Sequence, residues 1–570
     1  MALRDLEDVV ESDVLVVGGG GAGARAAIEA KALGASVALA VKGLFGKSGC
    51  TPMAEGGYAA AIGHADPRDS PDLHFEDTIV GGGFLNEQPL VRVLVDEAAE
   101  RLYDLERFGG IFDRTDDGRF VQNRPGGHRY ARACQHGDRT GHELMSALRK
   151  EALRREIDIY EEVMVVRLLT SEGAASGALG LNVRTGGFVA FKAKSTVLAT
   201  GGLGQLYPYT TNPVQKTGDG YAMAFQLGAE LMDMEMVQFH PTGLAYPPSV
   251  RGVLITEACR SRGGVLLNER GERFMSRYDP ERMELSTRDV VSRAIFSEVR
   301  GGRGTEHGGV YLDITKLPPA EVEEYLFGVL EKCLNYVGVD PRERPVEVSP
   351  TCHHFMGGLR INTECETSVP GLFACGESAG GVQGSNRLGT NGVTATQVFG
   401  ARAGRYAAEK AKSLSERPLG REQIREEIVR IEGFERGGGS LSPASLRSRL
   451  QGLMWESVGI IRDQQGLTAA LAEIRRMMLD LASNVSITSE GSRYGQGLVE
   501  VLELENMLLV AELVTRSALL RTESRGAHFR SDYPKRNDDQ WLRHVTVKRM
   551  GSEQEFGLSP VSMDKLRPEA

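Results

Sequence analysis

The chain has 570 residues, more than one compact core organises, so two or more domains are expected. Its formal net charge is −10 and its Lys and Arg residues form no long run, which excludes a basic nucleic-acid footprint and requires any anionic substrate to be met by locally gathered arginines. The acidic start "MALRDLEDVVESD" has no apolar leader core, and no later segment reaches about 18 uninterrupted apolar residues, so a cytoplasmic protein without a membrane span is expected.

Residues 13–41, "DVLVVGGGGAGARAAIEAKALGASVALAV", read as a short apolar strand, a glycine turn, an Ala-rich helix and a second strand, the opening of a βαβ unit. Gly18, Gly20 and Gly23 satisfy G-x-G-x-x-G in that context, which places a pyrophosphate at the positive end of the helix. The second strand ends Ala40-Val41-Lys42, without the acidic residue that holds the ribose of NAD, so NAD loses support. The loop that follows, "GKSGCTPMAEGGYAA", resembles a flavin-contacting loop with Cys50 at its centre. It is not a P-loop, because Val41 stands where the first glycine would be.

Two later stretches favour FAD. "STVLATGG" (195–202) is an apolar strand opening on glycines, and "GLFACGESAGG" (371–381) is another that ends on Glu377, an acidic residue placed to bind ribityl or ribose hydroxyls. The expected fold is α/β: a Rossmann-like FAD-binding domain in two parts (1–240 and 353–415), interrupted by an α+β capping domain (241–352) and followed by a helical domain (416–530) and a tail (531–570). In the helical part Leu446, Leu450, Leu453 and Ile461 recur at helical spacing, as do Leu467, Leu471, Ile474, Met478 and Leu481. The tail alternates at Val545 and Val547, the pattern of a strand or a partner contact.

The seven cysteines have no CxxC or paired spacing, so no iron–sulfur cluster, zinc site or covalent haem is expected in this chain. His353 and His354 are adjacent without a third ligand placed by sequence, and no metal site is assigned to them. Five stretches carry cationic or hydrogen-bonding side chains beside glycines or turns: "MEMVQFHPTGL" (234–244), "LITEACRSRGG" (254–264), "ELSTRDVVSRAI" (284–295), "PTCHHFMGG" (350–358) and "QGSNRLGTNGV" (383–393). Arginine forks donate two parallel hydrogen bonds to a carboxylate, so two of them with histidines form a clamp for a dicarboxylate.

These five motifs, in this order, with "DRTGH", "TGDGYAMAF" and "ESRGAHFRSDYP", resemble the flavoprotein subunit of fumarate reductase and succinate dehydrogenase from about residue 12 to 548. The loop "SGCTPMAEGG" and the stretch "HHFMGG" look most like the thiol-linked fumarate reductases of methanogens and their bacterial relatives. The resemblance implies that His240, Thr256, His353 and Arg387 bind the substrate carboxylates, that Arg288 protonates the alkene carbon next to the one receiving hydride from flavin N5, and that Glu257 and Arg260 supply its proton. It implies FAD contacts at Lys42, Ser48, Thr51, Glu55, Gly56, Gly57, Thr200, Gly201, Asp219, Arg387, Thr390, Asn391 and Val393, beside Gly18, Gly20, Gly23 and Glu377.

Many members carry a histidine bonded to the flavin where this chain has Cys50, so the histidyl link is unavailable. A thioether and a packed neutral thiol both remain open; the packed thiol, and with it non-covalent FAD of lower potential, is the expectation. A separate iron–sulfur subunit is implied as electron partner, with no nucleic acid, and any membrane association would be peripheral, through partners. L-aspartate oxidase shares this architecture and much of the clamp, and a non-catalytic flavin electron-transfer subunit is a third reading.

Overall fold

A computed structural model describes residues 6–415, 417–435, 439–485 and 496–568. The polar spacer after residue 435 lies partly outside them. The first strand, β1 (Leu6–Val17), ends in Val14–Val17, all fully or nearly fully buried, because both faces of the sheet are covered there. It pairs in parallel with β2 (Val37–Val41) on one side and with strand Phe188–Leu198 on the other. Strand Asp158–Glu161 extends the sheet past β2, and Ala174–Asn182 and Val163–Ser171 extend it antiparallel beyond 188–198. Leu372–Ala374 also pairs in parallel with 188–198, so the late apolar stretch joins the early sheet although an inserted unit separates them in sequence.

Helix α1 (Gly21–Ala32) connects β1 to β2 and packs on the long helix Asn391–Ser413. Two glycines permit that approach: a Cβ on Gly404 would stand 2.2 Å from the carbonyl oxygen of Ala26, and one on Gly400 2.6 Å from that of Ala22. Gly23 serves the turn itself, since a Cβ there would lie 1.8 Å from the carbonyl oxygen of Gly18.

The inserted unit is built on a four-stranded antiparallel sheet, Val237–Leu244, Val346–Phe355, Val310–Asp313 and Val265–Leu267 in that order. The expected breakpoints at 240/241 and 352/353 both fall within its first two strands, where His240 pairs with Thr351. Leu244, Ile255, Phe274, Val291, Ile295 and Leu312 form a core separate from that of the large sheet.

Helices Pro443–Ser457, Gln464–Asn484 and Gln496–Leu520 follow. Asp463 caps the second by accepting from the Gly466 N–H at 2.7 Å. Its buried stripe is Leu467, Ala470, Ile474, Met477 and Leu481, with Leu471 and Met478 half-buried at its border, so the small Ala470 takes the position that size alone assigns to Leu471. The expected tail is an integrated hairpin: Arg543–Met550 pairs antiparallel with Glu553–Pro560 and with Leu231–Met232. The "ESRGAHFRSDYP" stretch is structural, with the fully buried Arg525 paired with Glu523 at 2.7 Å and the fully buried Arg530 with Asp532 at 2.7 Å. No helix among the described residues is long and apolar enough to cross a membrane.

Candidate active site

A cavity of about 1550 Å³ runs from the β1–α1 turn to the face of the inserted unit. At the turn, Gly18 has φ +108°, and a Cβ there would meet the carbonyl oxygen of Ala199 at 2.4 Å; only glycine fits. The N–H of Gly21 donates to Thr51 Oγ1 at 3.0 Å, which ties the cysteine-containing loop to the start of α1. Cβ atoms on Gly20 and Gly56 would meet nothing nearer than 3.7 and 3.6 Å, ordinary van der Waals contact, and both glycines line the cavity. A glycine turn, a helix start and an open elongated trough together fit a dinucleotide.

Of the residues expected at the cofactor, Gly18, Gly20, Lys42, Ser48, Thr51, Glu55, Gly56, Gly57, Thr200, Gly201, Asp219, Glu377, Arg387, Thr390 and Val393 line this cavity. Gly23 and Asn391 do not. Gly23 sits behind the turn, and the Asn391 amide is spent on His74 Nε2 at 2.8 Å and Thr78 Oγ1 at 3.1 Å. Thr390, at the head of helix Asn391–Ser413, holds φ +66°, a left-handed conformation that a threonine keeps only under tertiary constraint.

Several cofactor-side groups are already engaged. The Lys42 ammonium meets Asp219 at 2.7 Å and Glu503 at 2.6 Å, so the last long helix reaches into this wall. Glu377 is paired with Lys216 and accepts from the Phe355 N–H at 3.0 Å. Glu55 is paired with Lys332, which comes from the inserted unit and also donates to the Leu254 carbonyl at 3.1 Å. Cys50 lines the same wall; burial, reinforced by Glu377 and opposed by Lys216, pushes its thiol up to about 11 and keeps it neutral.

At the other end, paired strands 237–244 and 346–355 bring His240 and His353 together with ring centroids 5.5 Å apart. Burial, with Arg288 beside His240 and Arg387 beside His353, holds both imidazoles well below their usual range, hence neutral. His353 Nδ1 is fixed by Thr211 Oγ1 at 2.9 Å, and His240 Nδ1 faces the Thr242 backbone at 3.2 Å. Arg288 opens the helix Arg288–Glu298 and donates to one oxygen of Glu257 through Nε at 3.1 Å and Nη2 at 3.0 Å. Burial would raise the Glu257 carboxyl, but Arg288 and Arg260 outweigh it and hold it at about 2. Burial and then Arg288 hold Arg387 down to about 9, still cationic at neutral pH.

His240, Thr256, Glu257, Arg288, His353 and Arg387 all line the cavity, while Arg260 stands behind Glu257, its Nη2 4.0 Å from the carboxylate. The chemistry follows from charge: the buried Arg387, the half-buried Arg288 and two neutral imidazole donors around one space favour a dianion, and the ionised Glu257 keeps Arg288 oriented. Sequence reading missed Gln238. It precedes His240 by two residues on the strand and therefore shares its face, which is the one signal that could have found it. Its Oε1 accepts from Arg387 Nε at 3.3 Å and Arg288 Nη1 at 3.5 Å, while its Nε2 donates to the Arg387 carbonyl at 2.8 Å. Lys216 and Lys332 were missed as well, isolated lysines that no motif distinguishes. His136 and His142 do not line the cavity, and His128 bonds through Nε2 to the Gly389 carbonyl at 2.9 Å.

A family model described as FAD binding domain matches residues 13–393, and one described as fumarate reductase flavoprotein C-term matches residues 447–570. The chain is 52% identical over 550 residues to a fumarate reductase (CoM/CoB) protein of Methanothermobacter marburgensis, spanning 96% of this chain and 99% of that protein. It is 36% identical over 587 residues to the succinate dehydrogenase flavoprotein of Coxiella burnetii, spanning 99% of both. A solved flavoprotein of E. coli quinol fumarate reductase matches with a TM-score of 0.94 at 35% identity over 99% of both chains.

Proposed function

The chain belongs to the flavoprotein-subunit family of fumarate reductases and succinate dehydrogenases, and from that premise we propose that it reduces fumarate to succinate at the His240–Arg288–Arg387 end of its cavity. It is an FAD-dependent oxidoreductase of the type acting on a CH–CH bond. The observation that carries the substrate reading is that Arg288, Arg387 and the neutral pair His240 and His353 converge on the same space as the dinucleotide turn.

In this reading Arg387 and His353 grip one carboxylate of the diacid, and His240 with Thr256 the other. Withdrawing electron density at both ends polarises the central double bond, and holding it in place supplies proximity. FAD, when bound, supplies the hydride. Arg288 gives the proton to the neighbouring carbon. An arginine is a poor acid in water, and here Glu257, paired with Arg288 at 3.0 Å, stands ready to return the proton. Gln238 keeps the two arginines in register by offering both the same oxygen.

We take the cofactor to be held without a covalent link, since Cys50 is a half-buried neutral thiol in place of the histidine of many members. An untethered flavin of lower potential favours fumarate reduction over succinate oxidation. Electrons then come from a separate iron–sulfur protein, in keeping with cysteines scattered through the chain. Purified protein given fumarate and a reduced dye should form succinate. Oxidation of aspartate in its place would make the chain an aspartate oxidase, and bound FAD with neither turnover would leave it an electron-transfer protein.

A further inference from the structure

The route Arg288–Glu257–Arg260 ends inside the protein. The Arg260 side chain is 1% exposed, so a proton arriving there needs another carrier to connect with solvent. Arg260 Nη1 donates to the backbone carbonyl of Glu284 at 2.6 Å, while its Nε and Nη2 have no hydrogen-bond acceptor among the described residues. A buried guanidinium of this kind is satisfied by interior water, which carries protons over short gaps.

The Glu284 side chain lies next along this line and is 3% exposed. Its carboxylate accepts from Arg273 Nε at 2.9 Å and Nη2 at 2.6 Å, and from the Leu266 N–H at 3.2 Å. Arg273 is half exposed, and so links this buried carboxylate to bulk water. The charged groups facing Glu284 are Arg273, from the turn before Phe274–Arg277, and Arg260, from the helix Ala258–Ser261; strand Val265–Leu267 contributes the backbone N–H.

Resting on the reading of Arg288 as acid and Glu257–Arg260 as its supply, we infer that Glu284, with Arg273 at its mouth, is the solvent-side relay that reloads Arg260. Reducing fumarate forms two C–H bonds: a hydride carries both electrons to one carbon, and a proton passes from Arg288 to the other. Arg288 regains its proton from Glu257, Glu257 from Arg260, Arg260 from Glu284 through water, and Glu284 from solvent past Arg273. One solvent proton enters per succinate formed, and every group in the row ends as it began.

The test is made on the full-length flavin-loaded protein with reduced dye and fumarate. Glu284→Gln preserves size and polarity but carries no proton. Its kcat should fall about tenfold or more, the loss growing as pH rises, with a larger solvent deuterium isotope effect and an unchanged KM for fumarate. Glu284→Asp should restore most of the rate. A wild-type pH profile and isotope effect in Glu284→Gln would overturn the assignment, even if its unfolding temperature drops, because that is what a salt bridge with a structural role alone gives. Should Glu284→Gln not fold, Arg273→Gln at the exposed mouth carries the same readout, and an unchanged profile there equally overturns it. Glu257→Gln separates the two levels: if it keeps fumarate reduction the whole route fails, whereas its loss beside an unaltered Glu284→Gln removes the solvent-side relay alone.

Discussion

Arg288 addresses two hydrogen bonds, from Nε at 3.1 Å and Nη2 at 3.0 Å, to the same oxygen of Glu257. This arrangement differs from the parallel fork in which each donor meets its own oxygen. It leaves Nη1 turned toward Gln238 Oε1 at 3.5 Å and leaves the second Glu257 oxygen free of Arg288. The ion pair thus fixes the guanidinium while sparing one edge for the cavity.

That edge is expected to be indispensable. Arg288→Gln should lower fumarate turnover by about 10²–10⁴-fold, the range of a lost general acid, while bound flavin stays at the wild-type level. Steady-state rates beside flavin content per chain check this, and near-normal turnover would remove Arg288 from the acid role.

Gln238 should matter although it makes no charge. Gln238→Leu withdraws the oxygen shared by Arg288 and Arg387, at about 1–3 kcal/mol for each donor left unsatisfied, so kcat/KM for fumarate should fall roughly 10-fold or more. Gln238→Glu adds a carboxylate between the arginines and should weaken dicarboxylate binding, which inhibition by succinate measures. Wild-type kinetics in Gln238→Leu would show that the arginines hold their places unaided.

Flavin should leave the protein on acid precipitation, because a thiol held at about 11 is scarcely ionised at neutral pH and is a poor nucleophile. The supernatant should be yellow and the pellet colourless, with Cys50→Ala retaining FAD before denaturation. Colour that stays with the pellet, and is lost from it in Cys50→Ala, would establish a thioether instead.

His544 should give the fold an alkaline limit. Burial alone would lower its pKa, but Asp233 at 2.6 Å and Glu87 at 3.0 Å outweigh this and raise it to about 9. The unfolded imidazole titrates at about 6.5. The stabilisation, on the order of 3 kcal/mol, is therefore complete below about pH 6.5 and is lost as pH rises through about 9. Unfolding temperatures measured between pH 6 and pH 10 should decline across that window, and the decline should flatten in His544→Gln. An equal decline in both proteins would assign it to other groups.

The glycine turn and the clamp residues were readable in the chain for different reasons. Gly18, Gly20 and Gly23 follow from local geometry: a strand, a turn that admits no Cβ at Gly18 or Gly23 and a helix start leave a pattern within a few residues. His240, Glu257, Arg288, His353 and Arg387 were legible only through the resemblance, since no spacing links five residues spread over 148 positions. Gln238 went unseen because its meaning lies in Arg387, which only the fold brings within 3.3 Å.

Local order, then, was written into the sequence: apolar runs of strand length, helical stripes, glycines where a side chain would collide, and a charge balance that confines anion binding to one place. The choice of neighbours was made by tertiary packing. Pairing of strands 237–244 and 346–355 brings the two histidine rings within 5.5 Å of each other, Leu372–Ala374 completes a sheet begun near the N-terminus, and the last long helix brings Glu503 to Lys42. Those contacts depend on which buried surfaces fit together across the whole molecule, and periodicity within a segment records which face is buried but not what covers it.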